Sequence, residues 1–225
     1  DNVKRLPVRF AEGIAGSVFY NAAINQPTQA VIWLHPYSYA QGYTGHYLRG
    51  ERIYHYLAAN GLMVMAFDQI GFGYRLLEGQ KFYGRYPRWS RLGQMVYDVK
   101  SAVDLLFLGQ AGYGEEVYSL IDKEHIYCVG YALGGLVALY AGALDERIAG
   151  VSSFCGFTPM RTDTDEKPTG GIRRLWELHS LLPRLGLFAG REAQLPYDYE
   201  DVLSLIAPRP TLIVSADQDR GSDSA

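Results

Sequence analysis

The segment Gly130-Tyr131-Ala132-Leu133-Gly134-Gly135 lies between an apolar run and a helix-like run, with the spacing of a turn built to present one side chain. A strand that reverses sharply into a helix crowds its own backbone. The residues two before and two after the apex must therefore lack bulk, while the apex side chain is thrust outward. With serine at the apex, Gly-x-Ser-x-Gly presents a nucleophile for acyl transfer. Here the apex is Ala132, which has no lone pair to attack a carbonyl. The same spacing also suits a tight packing turn, so the surrounding elements must decide between the two. Ser152, Ser153 and Cys155 occupy the next apolar run without glycines about an apex, and read as core or strand-end residues. No set of Cys, His and carboxylate residues has metal-ligand spacing, so neither a metal nor a cofactor is expected.

An apex of this kind needs a buried strand before it and a closely packed helix after it, and the flanking sequence predicts both. Ile126 to Val129 reads as the strand and Gly134 to Leu144 as the helix. Upstream, Val8 to Phe10 and Ser17 to Tyr20 are short β-rich pieces, and Ala30 to Leu34 and Leu62 to Phe67 are continuous apolar strands. Between and after them, a helix-like stretch covers Tyr47 to Ala59. Leu92, Val96, Val99, Val103 and Leu106 mark one apolar helix face that stops by Gly109. Ile148 to Cys155 is the next strand, Glu200 to Ile206 a helix and Thr211 to Ser215 a last strand. Strand and helix alternate, which predicts an α/β fold with a mostly parallel sheet covered on both faces. Thr158 to Tyr199 breaks the rhythm with Pro, Gly, many charges and a short helical pattern at Ile172 to Leu182. It reads as a cap-like insertion, about 158–199, within a single domain spanning 1–225.

The 225 residues, 48% hydrophobic and 20% charged, suit one globular domain with a sizeable core and exclude disordered and fibrous classes. A net charge of −3 with scattered basic residues gives no broad cationic field, so neither nucleic acid nor an anionic membrane is expected as a partner. No apolar stretch approaches the roughly 20 residues that span a bilayer, and the N-terminus carries no basic-then-apolar leader pattern. Because the chain begins at Asp1, either a leader was removed or the sequence was trimmed; a secreted or periplasmic location is favoured over a cytoplasmic one. Cys128 and Cys155, in apolar runs, read as small buried thiols rather than a disulfide.

From Val8 to Arg220 these landmarks resemble the α/β-hydrolase superfamily. The strand ending at His35-Pro36 is similar to the family's third strand, whose following loop supplies one oxyanion-hole amide, here that of Tyr37. The resemblance implies a second donor in the amide of Leu133, after the apex. It casts His35 as a residue that holds the loop, with Tyr131 beside the site. Asp68-Gln69-Ile70-Gly71-Phe72-Gly73 is similar to the Asp-x-x-Gly-x-Gly turn after the fourth strand. The family's acid falls after the last strand, at Asp219, with Asp217 as the runner-up.

In this fold the base histidine follows the acid. None does: the five histidines are His35, His46, His55, His125 and His179, and His179, near Trp176 in the insertion, reads as cap packing. The resemblance therefore implies that the base and the C-terminal strand and helix are absent from this chain.

The insertion, from Cys155 to Asp163 and from Gly170 to Leu175, resembles the bacterial esterase branch related to acetyl xylan esterases and dienelactone hydrolases. This implies a serine carboxylic-ester hydrolase acting on a small-molecule or carbohydrate ester, inactive with alanine at 132. The alternative is a natural non-catalytic relative that binds a ligand or partner through the same pocket; Ala132 is either an engineered or a natural residue. Tyr37, Tyr39, Tyr43 and Tyr47 crowd the loop after the oxyanion strand, either to meet a ligand or to pack the loop. Arg161, Arg173 and Arg174 read as solvated arginines of the insertion. A peptidase or lactonase on the same fold also stays open.

Overall fold

The runs that read as buried strands form the middle of a sheet. In this computed structural model, which describes residues 2–45, 51–162 and 171–216, seven strands pair in the order β1-β2-β4-β3-β5-β6-β7. β1 (Val3–Phe10) and β2 (Ile14–Asn21) form an antiparallel hairpin, and β2 also pairs antiparallel with β4 (Met63–Phe67). From β4 onward, β3 (Thr28–Leu34), β5 (Ile121–Tyr131), β6 (Ile148–Phe154) and β7 (Thr211–Val214) are all parallel. The mostly parallel α/β sheet expected from sequence is present, and its central strands are apolar without alternation because helices cover both faces.

Alternate residues of the central strands serve two cores. Ile32, Leu34, Met63, Met65 and Phe67 join the larger core beneath α4 (Arg91–Leu108) and α6 (Leu133–Leu144). Trp33, Val64 and Ala66 face α1 (Ile53–Ala59) with Phe19, Tyr54 and Ala58. Ser90 caps α4 by accepting the Gly93 amide at 2.9 Å, and Gly109, at φ +70°, stops it. The chain is helical only from Ile53, since Arg52 is extended. The start expected at Tyr47 falls outside the described residues.

Between these long elements lie the single-turn helices α2 (Leu76–Gly79), α3 (Phe82–Arg85) and α5 (Glu115–Tyr118). The described part of the segment expected as an insertion is built from short pieces: α7 (Gly171–Arg173), a π-helical stretch (Arg174–Leu178) and 3₁₀ turns at Pro183–Phe188 and Glu192–Gln194. The single helix suggested by Ile172 to Leu182 does not form. The amides of Leu181 and Leu182 both turn back to the Leu175 carbonyl, at 2.6 and 2.8 Å, and Ser180 takes φ +48°. α8 (Tyr199–Ile206) then returns to the sheet. Its cap residue Asp198, buried, accepts the amides of Tyr199 at 2.8 Å and of Met160 and Arg161 at 2.9 Å, so one carboxylate ties the start of the insertion to its end.

Candidate active site

β5 hands the chain to α6 through Ala132, whose backbone sits at φ +48°, ψ −113°. A non-glycine residue there is strained by roughly 1–3 kcal/mol and persists only where its surroundings over-determine it. Those surroundings are close. A Cβ on Gly130 would lie 2.1 Å from the Gly134 carbonyl group, and a Cβ on Gly134 would lie 1.9 Å from the Leu34 carbonyl oxygen. The glycines on either side of the apex are therefore required by contact, as the spacing predicts. The Ala132 amide donates to the Phe154 carbonyl at 2.8 Å, anchoring the turn to β6. Leu133 opens α6, where the first amides have no acceptor within the helix, and the helix start is directed at the sheet edge where β3 also ends. Leu34 pairs with Gly130 in register, so the loop that leaves β3 at His35 starts beside this turn.

His35 is fully buried and both ring nitrogens are occupied. Nδ1 bonds the Pro36 carbonyl at 2.6 Å, Nε2 accepts the Gln69 amide at 3.1 Å, and the Gln69 side-chain amide donates to the His35 carbonyl at 2.7 Å. Because Nε2 is the acceptor, Nδ1 carries the proton. Burial drives the imidazole down from 6.5 to about 4, and the bond to Pro36 only partly opposes this. The ring is a neutral strut between the loop and Gln69, with neither nitrogen left to accept a further proton.

Asp68, one residue before Gln69, spans two loops: Oδ1 accepts the Tyr43 amide at 2.9 Å and Oδ2 the Tyr74 amide at 2.8 Å. Burial raises its pKa, with the two amides and Arg75 pulling the other way. Gly42 and Gly73, at φ +55° and +52°, clear the space, since a Cβ on either would overlap the Asp68 carboxylate. Arg75 reaches the Asp68 carbonyl at 3.2 Å and the buried Asp98 carboxylate on α4 at 2.5 Å, fixing the turn to the helix below it.

The tyrosines of the loop divide their tasks. Tyr43 is buried, with its hydroxyl 3.3 Å from Ser17 Oγ. Tyr37 stacks on His179 with centroids 4.0 Å apart, and Tyr39 bonds His179 Nδ1 at 2.9 Å through its hydroxyl. Burial raises the Tyr37 hydroxyl to about 12, opposed by the charge of Arg174. His179 is thus packed on the loop that carries Tyr37 and Tyr39. Burial first, then Arg174 and Arg91, hold its pKa below the ordinary value. The contact of His179 with Tyr37 and Tyr39, and the lock of Gln69 on His35, join residues distant in the chain and leave no local signal. Tyr131, 41% exposed, stands next to the apex. Arg161 is held by Glu200 at 2.6 Å and the Leu195 carbonyl at 3.1 Å.

Asp217 and Asp219 lie outside the described residues; β7, which precedes them, ends at Val214, whose carbonyl accepts the Cys155 amide at 2.7 Å. Cys128 and Cys155 are thiols, not a disulfide. Among the described residues no group of three or more His, Cys, Asp or Glu side chains could hold a metal ion, and no helix is long and apolar enough to cross a membrane.

The family model described as serine aminopeptidase, S33, a hydrolase family, matches residues 26–221. The chain belongs to this hydrolase family. Its fold is the α/β-hydrolase fold. A carbohydrate esterase from an unknown prokaryotic organism is 26% identical to this S33-family chain over 138 residues, 60% of this chain and 30% of that protein. Among solved structures, the glucuronoyl esterase from Solibacter usitatus superposes with TM-score 0.64 at 17% identity, over 96% of this chain and 64% of that one. The acylaminoacyl peptidase of Pyrococcus horikoshii gives TM-score 0.67 at 13% identity, over 100% of this chain and 34% of that one. These superpositions speak for the fold alone. The S33-family chain spans less than a third of the length of its curated relative and just under two thirds of the Solibacter enzyme.

Proposed function

We propose that this chain carries the core of a serine carboxylic-ester hydrolase acting on carbohydrate esters, with Ala132 in the nucleophile's place, so that it does not turn over in this form. The observation that carries the reading is the strained backbone of Ala132 between two glycines that admit no Cβ, at the junction of β5 and α6. With serine there, Oγ would attack the ester carbonyl and pass its proton to a base. The amides of Leu133 and Tyr37 would hold the oxyanion of the tetrahedral intermediate. The alcohol would leave with the proton, and water would then release the acid and restore the serine. His35 would hold the Tyr37 loop, Tyr131 would line the substrate side, and Asp219, or else Asp217, would orient the base.

None of the described histidines suits the base. His35 has both nitrogens engaged, His55 and His125 bond Glu51 and Asp122 at the surface, and His179 is stacked on Tyr37. The carbohydrate part of the proposal rests on similarity to the carbohydrate esterase. The insertion, about 158–199, would act as the cap over the pocket of a single domain.

A second reading is favoured by Ala132 itself: a non-catalytic relative that binds a ligand through the same pocket. Restoring Ala132→Ser in the full-length gene product and assaying short-chain aryl esters beside acetylated and methyl-esterified saccharides separates the two. Turnover that disappears with alanine supports the hydrolase; a folded serine form inert on every ester overturns it in favour of the binding protein.

A further inference from the structure

Away from the elbow, the 83–90 segment faces the 182–197 part of the insertion across a groove of about 380 Å³. Prolines and leucines form much of its surface, Trp89 and Tyr197 stand in its walls, and Arg88 and Arg184 line it with no Asp or Glu among the lining residues. Trp89 is 45% exposed and is buttressed by the Tyr97 ring, edge-on at 89° with centroids 5.9 Å apart. Its indole is held upright and still offers surface to a ligand. Neither guanidinium makes a hydrogen bond or an ion pair with any described residue. Two other arginines close to the insertion's stem are engaged: Arg91 bonds the carbonyls of His179 and Gly79 at 3.2 and 2.9 Å, and Arg161 bonds Glu200.

The two walls are joined to each other. Tyr83 donates its hydroxyl proton to the Ser180 carbonyl at 2.5 Å and accepts the Arg91 amide at 3.1 Å, and the Leu92 amide donates to the Leu181 carbonyl at 3.1 Å. The groove is therefore formed before anything binds, which reduces the ordering cost of binding. His179, stacked on Tyr37, is three residues from Leu182 in the groove wall, a span of at most about 10 Å of chain. A ligand only a few units long could touch both places.

We infer that this groove is a second binding site, for a carboxylate-bearing saccharide chain. The flat faces of Trp89 and Tyr197 suit the apolar faces of sugar rings, with polar edges left for hydroxyls. Two unengaged guanidiniums, in a chain of net charge −3, supply local positive charge and the forked geometry that pairs with carboxylates. The walls are turns and prolines rather than a strand edge, so an acidic peptide would find no ladder to extend. The choice of a saccharide rests on the carbohydrate-ester reading; the preference for an anion does not.

The test is binding to the Ala132 protein as it stands, where no turnover intervenes. Trigalacturonate, xylotriose and triglutamate are each titrated by calorimetry at low and at moderate salt. Trigalacturonate is expected to bind at least about tenfold more tightly than xylotriose and to weaken with salt. Arg88→Gln with Arg184→Gln should remove that preference, and Trp89→Ala should weaken both saccharides, all with unchanged melting temperature. Equal binding of the two saccharides, no binding up to about 10 mM, indifference to the arginine pair, or triglutamate binding as tightly as trigalacturonate would each overturn the inference. Failure of the ester-hydrolase reading shows separately, as lack of turnover in Ala132→Ser of the full-length gene product with trigalacturonate binding intact.

Discussion

The amide of Ala132 is bonded to the carbonyl of Phe154 at 2.8 Å, so the tip of the β5–α6 turn is fixed to the end of the neighbouring strand while its own backbone stays in a region alanine avoids. Glycine meets no Cβ penalty at φ +48°. Ala132→Gly is therefore expected to stabilise the protein by about 1 kcal/mol. Urea unfolding compares the two, and a glycine form less stable than the alanine form would show that the apex is not strained.

Gly134→Ala should do the opposite. Its Cβ would meet the backbone of β3 at 1.9 Å, and a carbonyl cannot rotate away as a side chain can. A loss of at least about 3 kcal/mol is expected, near 10 °C in melting temperature for a chain of this size. Gly84→Ala, where a new Cβ meets nothing within 4 Å, is the control and should leave the melting temperature unchanged.

Acid should weaken the fold through His35. Its imidazole ionises at about 4 in the folded protein and near 6.5 in the unfolded chain, so the unfolded chain takes up the proton first as pH falls. The stability present above pH 6.5 is lost progressively toward pH 4, by about 3 kcal/mol from this ring. His179, whose pKa is also lowered, acts in the same direction. Denaturation at pH 7 and pH 4.5 should give a smaller difference in His35→Gln than in the parent; equal differences would remove His35 as the source.

Two carboxylate–arginine contacts should differ sharply in worth. Asp98→Ala leaves Arg75 buried without its 2.5 Å partner and is expected to cost about 3 kcal/mol or more. Asp104→Ala removes a 2.6 Å partner of the partly exposed Arg147, which keeps Asp145, and should cost less than about 1 kcal/mol. Similar losses in the two variants would contradict this ordering.

The parts of the fold legible in the sequence are those whose reasons are local. Ala30 to Leu34 and Leu62 to Phe67 read as strands because both faces of each are covered and nothing polar interrupts them. The turn at Ala132 reads because steric crowding dictates its glycines. The insertion does not read this way. Its 3.6-residue pattern over Ile172 to Leu182 is broken by Ser180, whose carbonyl is held by Tyr83, 97 residues earlier, and a window of neighbours contains no trace of that bond. The same holds for Gln69 on His35 and for His179 on Tyr37. The candidate site was legible as a backbone, and the side-chain bracing that holds it in place was not.

The buried carboxylate of Asp198 gathers amides from Met160, Arg161 and Tyr199 at once. Opening the first turn of α8 would carry Asp198 away and release the Met160 and Arg161 amides in the same event. The segment near Met160 and the first turn of α8 are thus coupled as one cooperative opening unit, and their amide protons should exchange with solvent together. Fraying of that one helical turn would free the 160–161 segment from the start of α8.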